Sequence, residues 1–384
     1  MGSRGWLETM RRRWRQRRAL RVLFVANAFI PTLQLSFLKP LRPLVEADAV
    51  VTELLTEQQM KEAFGKELRG DAADAWSLKK VAAFRPDLIV FCRYSGPHVE
   101  SLLRHARKRG IATIFHVDDD LQNVPREIGQ AKYEFHNHPT RLSAVQALLD
   151  GTDLVYCSTL ALLRRLRDRG LEERRSMAGR IYCSGEALAG PPQGQPLKIG
   201  YMGFDHAHDF QLALPALVRV LDDHADVRFE LFGSIPRPPE LERFGDRVTT
   251  LPPVPDYQQF MATFASLGWA IGICPLADTP FNEVKANTKW VEYTSVGAAV
   301  VATKGAVYDD CCADGCGLLV ENDEAAWTAA LQSVVRSPQK PQALVHAAQQ
   351  RLEERYSPAA LRQQVLQVFA RGLGRPHPAL PQSH

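Results

Sequence analysis

Short apolar runs alternate along this chain with longer amphipathic stretches. The runs are four to seven residues long and recur in both halves, at Val22–Ala26, Ala49–Leu54, Leu88–Cys92, Ile111–Val117, Leu154–Cys157, Lys198–Met202, Val227–Phe232, Trp269–Cys274, Ala298–Ala302 and Gly317–Val320. Short continuous apolar runs predict strands buried on both faces. Stretches such as Val99–Arg109, which stops at Gly110, predict helices. The alternation predicts an α/β chain with parallel sheets covered by helices on both faces.

The interruption of this pattern predicts two Rossmann-like, doubly wound domains. A Gly/Pro-rich stretch near the middle of the chain is typical of an interdomain linker. We therefore expect a basic arm, a first domain, a linker, a second domain, a helix that packs back toward the first domain, and a disordered tail, at residues 1–20, 21–185, 186–197, 198–356, 357–372 and 373–384. Two such domains are expected to face each other across a cleft, with ligands beyond the carboxyl ends of the strands.

Charge is distributed unevenly along the chain. The net charge is +4, but residues 1–21 hold eight arginines and one acid, so the rest of the chain is slightly acidic. An acidic body argues against a nucleic-acid-binding domain. No apolar run approaches the roughly 18–20 residues of a membrane span, and no secretory signal is visible, so we expect a cytoplasmic protein.

The arm combines arginines with apolar residues at helical spacing. Trp6, Met10 and Trp14 recur every four residues. A basic amphipathic helix of this kind suits the anionic inner face of a membrane. A disordered tail, or a segment that docks onto a partner protein, remains an alternative.

Seven cysteines without a secretory signal indicate reduced thiols. Cys311, Cys312 and Cys316 lack the spacing and the paired histidines of a zinc site. We expect no metal and no cofactor.

The block Pro280–Thr303 carries the strongest functional signal. It reads PFNEVKANTKWVEYTSVGAAVVAT and predicts a helix from about Asn287 to Val296. A helix N-terminus surrounded by Lys285, Asn287 and Lys289 suits a diphosphate, with Asn287 expected to bind the substrate. The carboxylate of Glu292 could accept hydrogen bonds from a ribose. A solvated surface helix is the alternative interpretation.

Three other loops follow predicted strands. In Gly203–Asp209 the glycine permits close backbone approach, and His206 and His208 could meet a phosphate; helix capping by the aspartates is the alternative. His116 is followed by the consecutive acids Asp118, Asp119 and Asp120. An Asp-x-Asp metal site would require a single-domain fold, so these acids are expected to line an acceptor site or to cap a helix. Arg93 could steady an anionic acceptor.

The 280–303 block resembles the donor-site segment of family-4-type glycosyltransferases of the GT-B fold, in particular bacterial surface-polysaccharide transferases. The matching residues are Pro280, Phe281, Asn282, Lys285, Lys289, Glu292, Tyr293, Gly297 and Val300–Ala302. The resemblance implies that Glu292 binds the nucleotide ribose, with Tyr293 beside it in the substrate site. It also implies that His208 meets phosphate and that His116 contacts the donor sugar. The family's second glutamate is replaced here by Val284.

The resemblance implies a retaining, metal-independent transferase. It would use a nucleotide-diphospho-sugar and a glycan or lipid-linked acceptor, in surface polysaccharide biosynthesis. Lys285 and Lys289 would stabilise the leaving diphosphate. Two rivals stay open: a sugar-nucleotide 2-epimerase on the same scaffold, and a non-catalytic partner protein.

Overall fold

The computed structural model describes residues 19–192, 197–204 and 207–380. These residues form two compact units. The first contains the chain up to Val124, Glu134–Tyr182 and the chain from Leu361 onward, and the second contains Pro125–Tyr133 and Cys183–Ala360. The expected arm, residues 1–20, lies almost wholly outside the described residues.

The first unit is built on one parallel sheet. Among the described residues its six strands are ordered β2-β1-β3-β4-β5-β6. They are β1 (Leu20–Ala26), β2 (Val50–Thr56), β3 (Leu88–Cys92), β4 (Ala112–Val117), β5 (Leu154–Cys157) and β6 (Ser176–Ala178). The strands β3, β4 and β5 are almost entirely buried, as strands covered by helices on both faces must be.

The second unit has a sheet of the same kind with a different order. Its six described strands are ordered β12-β11-β10-β7-β8-β9, all parallel. They are β7 (Lys198–Gly203), β8 (Arg228–Gly233), β9 (Val248–Leu251), β10 (Ile271–Cys274), β11 (Ala299–Thr303) and β12 (Leu318–Val320). The chain reverses its direction of winding between β7 and β10, and ligands of open α/β sheets bind at such a point.

Helices connect the strands and cover both sheets. They are α1 (Pro31–Leu33), α2 (Lys39–Glu46), α3 (Glu57–Phe64), α4 (Asp71–Phe84), α5 (Val99–Arg109), α6 (Gln130–His136), α7 (Pro139–Gly151), α8 (Leu160–Asp168), α9 (Ala207–Phe210), α10 (Leu214–Asp223), α11 (Tyr257–Leu267), α12 (Thr288–Ser295), α13 (Asp309–Cys312), α14 (Glu324–Val335), α15 (Gln339–Tyr356) and α16 (Pro358–Leu373). None of the described helices is long and apolar enough to cross a membrane.

The two doubly wound halves confirm the predicted fold class. The predicted runs Leu88–Cys92 and Leu154–Cys157 coincide with β3 and β5, and the helix Val99–Arg109 coincides with α5. The short edge strands β6 and β9 were not predicted, because three or four half-exposed residues give no apolar run. The unit boundary differs from the expected one at residues 125–133, which group with the second unit.

The C-terminal helix α16 packs within the first unit. The ring of Phe369 stacks on that of Phe37 at a centroid distance of 6.1 Å. A Cβ on Gly372 would come within 2.6 Å of Ile114, so the absent side chain lets α16 lie against β4. The end of the chain therefore completes the core of the unit that the beginning of the chain starts.

Candidate functional site

Strands β7 and β10 separate at the winding reversal of the second sheet. They pair only at Ile199–Ile271 and Gly200–Gly272. Beyond that point the hydroxyl of Tyr293 lies between them, accepting from Met202 N at 2.8 Å and donating to the Ile273 carbonyl at 3.2 Å. The Tyr293 side chain thus provides hydrogen bonds to β7 and β10 where the backbones of the two strands no longer pair.

This bridge fixes α12 against the gap between the two strands. Tyr293 is fully buried, and its burial raises the pKa of the phenol well above the usual value. Gly272 makes room for the ring, because a Cβ there would overlap it. The sequence places Tyr293 in the substrate site, but in the structure it belongs to the packing that positions α12.

The two lysines of the predicted diphosphate site, Lys285 and Lys289, lie at the start of α12. Lys289 is half-buried, and its Nζ lies 3.2 Å from the Tyr201 hydroxyl and 4.4 Å from the centre of that ring. Burial lowers the pKa of Lys289, although Cys274, Asp209 and Glu292 act against this shift. Lys285 lies just before the helix, with Nζ 4.7 Å from the centre of the Phe281 ring.

The N-cap residue of α12 does not cap its helix. Asn287 occupies the N-cap position, where an asparagine normally closes the helix by accepting from a backbone N–H. Here its side chain makes no cap; the amide donates to the Tyr356 hydroxyl at 2.9 Å. The backbone N–H groups of the first turn are therefore left without a side-chain cap.

Glu292 lies on the same helix as Lys289, three residues further on. It is buried, at 6% exposure, and it acts electrostatically on Lys289. The position of the family's second glutamate, Val284, is fully buried, while the neighbouring Glu283 is exposed. The replacement therefore fills core space.

A buried carboxylate that sequence reasoning missed holds the loop before α12. Asp209 is completely buried, and its Oδ1 accepts from Ala277 N at 2.8 Å and from Asn282 Nδ2 at 3.2 Å. Asn282 Nδ2 also donates to the Ala277 carbonyl at 3.0 Å. The Pro280-Phe281-Asn282 sequence thus ends in a structural asparagine, and only its long-range partner reveals this.

The loop after β7 agrees only in part with the expected phosphate site. A Cβ on Gly203 would lie 2.9 Å from Ile235 Cδ1, so its missing side chain accommodates the protein itself. His208 is partly exposed, and its Nε2 lies 3.3 Å from Asp209 Oδ1. His206 lies outside the described residues.

In the first unit, the predicted residues Arg93, Asp118 and Asp119 meet one another. Nε of Arg93 lies 3.1 Å from Asp118 Oδ1, and Nη1 lies 2.9 Å from Asp119 Oδ2. Burial disfavours the guanidinium charge, but the two acids outweigh it and raise the pKa of Arg93. Burial raises the pKa of Asp118 despite the arginine.

Further hydroxyls complete this network. Thr32 Oγ1 and Tyr182 Oη donate to Asp118 Oδ2 at 2.7 and 3.1 Å. Asp120 belongs to a separate pair, since Arg169 binds both its oxygens at 2.8 Å. The three consecutive acids therefore have internal cationic partners.

His116 differs most from expectation. It is 1% exposed, and its ring lies 5.0 Å from those of Phe37 and Tyr156. Burial, assisted by Arg93, lowers the pKa of His116 to about 3, so the imidazole is neutral at ordinary pH. The structure gives His116 a place in the core instead of the catalytic position that the resemblance implies.

The cysteines and acids form no evident metal centre. All seven cysteines are buried, and none of them forms a disulfide. In the described part of the chain, no three His, Cys, Asp or Glu side chains are grouped to hold a metal ion.

Comparison with known proteins bears on this arrangement. Residues 214–367 match the sequence model of a family described as glycosyl transferase-like. That match contains β10, α12 and β11, and hence the start of α12 described above. A search of curated protein sequences found no relative.

Solved structures resemble the chain over nearly its whole length. HepE of Anabaena, in complex with UDP and glucose, has 15% identity and a TM-score of 0.64, with 91% of this chain and 99% of that chain covered. A UDP-forming α,α-trehalose-phosphate synthase from Burkholderia xenovorans has 14% identity and a TM-score of 0.60, with 93% and 99% covered. A putative UDP-N-acetylglucosamine 2-epimerase from Listeria monocytogenes has 10% identity and a TM-score of 0.56, with 95% and 100% covered. At such identities these likenesses establish the fold.

Proposed function

We propose that this chain, a glycosyltransferase with the GT-B fold, transfers a glycosyl group from a nucleoside-diphospho-sugar to an acceptor hydroxyl. The glycosyl transferase-like family match favours transfer over 2-epimerisation. The single observation that carries the donor assignment is the uncapped start of α12, with Lys285 and Lys289 beside it.

The diphosphate would sit at this helix start. Backbone N–H groups without a side-chain cap offer hydrogen bonds to phosphate oxygens, and the helix adds partial positive charge. As the glycosidic bond breaks, negative charge grows on the leaving diphosphate, and Lys285 and Lys289 stabilise it. An anion beside Lys289 also favours its ammonium form against the effect of burial.

Glu292 would hold the nucleotide ribose. Its carboxylate lies on α12 near Lys289, and a carboxylate accepts two hydrogen bonds from a diol. The structural neighbour HepE contains UDP, so UDP-sugars are the first donors to test.

In this proposal the acceptor binds to the first unit. Arg93 and Asp119 are paired but partly exposed at the carboxyl ends of β3 and β4. A glycan or lipid-linked hydroxyl is the acceptor we propose, with surface polysaccharide biosynthesis as the setting. We further propose retention of anomeric configuration, which the anomeric proton signals of the product would test, and independence from metal, which activity in EDTA would test.

Thermal shift with UDP and UDP-sugars tests the donor site. At a ligand concentration of 100 Kd, binding stabilises the folded chain by about 2.7 kcal/mol. We expect Glu292→Ala to lose most of that stabilisation. The matched control is Glu283→Ala, an exposed acid nine residues earlier that should leave the shift unchanged.

Two results would argue against the proposal. Equal stabilisation of Glu292→Ala and the parent chain would remove the ribose assignment. If no nucleoside diphosphate or diphospho-sugar stabilises the parent, the non-catalytic alternative gains.

We also propose that the basic arm docks on an anionic membrane surface. Residues 1–18 of this arm lie outside the described part of the chain, and the proposal is supported by the sequence pattern alone. Co-sedimentation with vesicles containing phosphatidylglycerol compares the full chain with residues 21–384; equal binding of the two would dispose of the idea.

A further inference from the structure

A second arginine lies at the carboxyl edge of the first sheet, apart from the pair of Arg93 and Asp119. Arg141, in the first turn of α7, binds both carboxylate oxygens of Glu57 at 2.9 and 3.0 Å. The two side chains are only 12% and 13% exposed. Glu57 directly follows β2, so this bidentate pair lies at the edge where open α/β sheets bind their ligands.

A chain of hydrogen bonds connects this pair to the proposed acceptor residues. Nη1 of Arg141 donates to Ser95 Oγ at 3.3 Å, and Asn27 Nδ2 donates to the same oxygen at 3.2 Å. Asn27 Nδ2 also lies 3.4 Å from the carbonyl oxygen of Arg93, whose guanidinium binds Asp119. Arg141 and Arg93 therefore belong to one network that joins the carboxyl ends of β1, β2 and β3.

Arg141 also supports an exposed aromatic ring. Its guanidinium carbon lies 3.6 Å from the centre of the Phe135 ring, a cation–π contact that covers one face of the ring. Phe135 is nevertheless 40% exposed, and it belongs to the first unit. Two residues later, Asn137 Nδ2 donates to the Val124 carbonyl at 2.9 Å and so fixes this segment to the loop that follows β4. The ring is thus held in place while part of its surface stays open to solvent.

Exposure of this kind is rare among the phenylalanines of the chain. All 17 lie in the described residues, and the exposed ones are Phe29, Phe135 and Phe204. Phe29 follows β1, two residues beyond Asn27, so both exposed phenylalanines of the first unit lie on segments that contribute to the network or adjoin it. An aromatic side chain beside a few fixed polar groups is typical of a site that binds an organic ligand.

We propose that Phe135, positioned by Arg141, is the surface on which an uncharged sugar ring of the acceptor stacks. This inference rests on the proposed function and names the chemistry of its acceptor. The C–H face of a pyranose is apolar and packs against an aromatic ring, while its hydroxyls reach polar groups around that ring. Both guanidinium groups of the network already bind carboxylates, so a neutral sugar is favoured over the anionic acceptor that Arg93 alone suggests.

Saturation-transfer NMR on the full chain tests the contact directly. The probes are the methyl α-glycosides of glucose, galactose and mannose, with methyl α-glucuronide as the anionic counterpart, each with and without UDP. We expect at least one neutral glycoside to receive saturation from aromatic protons of the protein and to bind more tightly than the glucuronide. Deuteration of the phenylalanine rings, which changes no side chain, should remove most of this transfer.

Substitutions at Phe135 assign the contact to this ring. Phe135→Leu keeps an apolar side chain but loses the aromatic face, so it should raise the Kd of the neutral glycoside about three- to tenfold, in keeping with the usual strength of an aromatic contact. Phe135→Tyr keeps the ring and should bind within about twofold of the parent chain. Val45→Ala is the matched control, because Val45 is also exposed but lies at the end of α2 that precedes β2, and its Kd should be unchanged.

The outcomes separate this inference from the proposed function. Equal affinity of Phe135→Leu and the parent, no binding of any neutral probe, or tighter binding of the glucuronide overturns the sugar surface, while UDP binding in thermal shift still decides the donor site. Should Phe135→Leu fail to fold, transfer that survives phenylalanine deuteration overturns it instead. If a neutral glycoside binds at Phe135 but no nucleoside diphosphate or diphospho-sugar binds, the sugar surface stands and the proposed transfer fails.

Discussion

The hydroxyl of Tyr293 forms hydrogen bonds to β7 and β10 at a point where these two strands do not pair with each other. Removing this hydroxyl tests whether it links the strands. In Tyr293→Phe, Met202 N–H loses its acceptor and the Ile273 carbonyl loses its donor. Both residues are buried, so water does not readily replace the lost oxygen. A buried polar group without a partner costs about 1–3 kcal/mol, and we expect a total loss of about 2–4 kcal/mol for the two groups.

Urea and thermal unfolding give the size of the effect. At about 2–4 °C per kcal/mol for a unit of this size, the melting temperature should fall by about 4–16 °C. Hydrogen exchange gives the location, because the Met202 amide should lose protection more than amides in the middle of β8. Tyr356→Phe is the control, since it removes a hydroxyl from the same unit but leaves only a half-exposed side-chain amide behind. If Tyr293→Phe is as stable as that control, with Met202 still protected, then the hydroxyl does not bridge β7 and β10.

Three other predictions concern the interior. Between pH 6.5 and about 3 the imidazole of His116 is protonated in the unfolded chain but neutral in the folded chain. The free energy of unfolding therefore falls as the pH drops from 6.5 toward 3. This group alone should lower the unfolding free energy by about 2 kcal/mol at pH 5 relative to pH 8, and His116→Phe should lack that part of the pH dependence in urea titrations. Arg169→Gln should cost about 1–2 kcal/mol, because the carboxylate of Asp120 is buried but keeps Arg165 at 3.9 Å and a hydrogen bond from Asn123; a loss below about 0.5 kcal/mol would show that the pair behaves as a surface salt bridge. Gly272→Ala should cost about 1–3 kcal/mol or more by overlap with an aromatic ring, whereas Gly190→Ala, which meets nothing within 4 Å, should be neutral in the same melts.

Local patterns could predict a large part of the fold. Parallel strands buried on both faces leave continuous apolar runs, and glycine after a helical run marks its end, as at Gly110 and α5. The helix from about Asn287 to Val296 was found as α12 because its start, its lysines and the following Gly297 all lie within one short segment. The residues of the candidate donor site are likewise local to that segment.

The pairing of charges could not be predicted from local patterns. Arg93 and Asp118 are 25 residues apart, and neither segment indicates that the other holds its partner. Asp209 and Asn282 are 73 residues apart. The sequence gives the residue types available for such pairs, but only the order of strands in the sheets decides which strand ends are neighbours.

What the sequence by itself determined is the order of strands and helices, the two-unit organisation and the helix that carries the candidate donor residues, because each follows from interactions among residues close together in the chain. What only the tertiary structure decided is which way the polar side chains at strand ends face. His116 lies on a strand buried on both faces, so alternation carries no information about its surroundings. The ring of Phe37 packs against the imidazole of His116. Phe369 stacks on Phe37 and belongs to α16, the C-terminal helix that packs over β4.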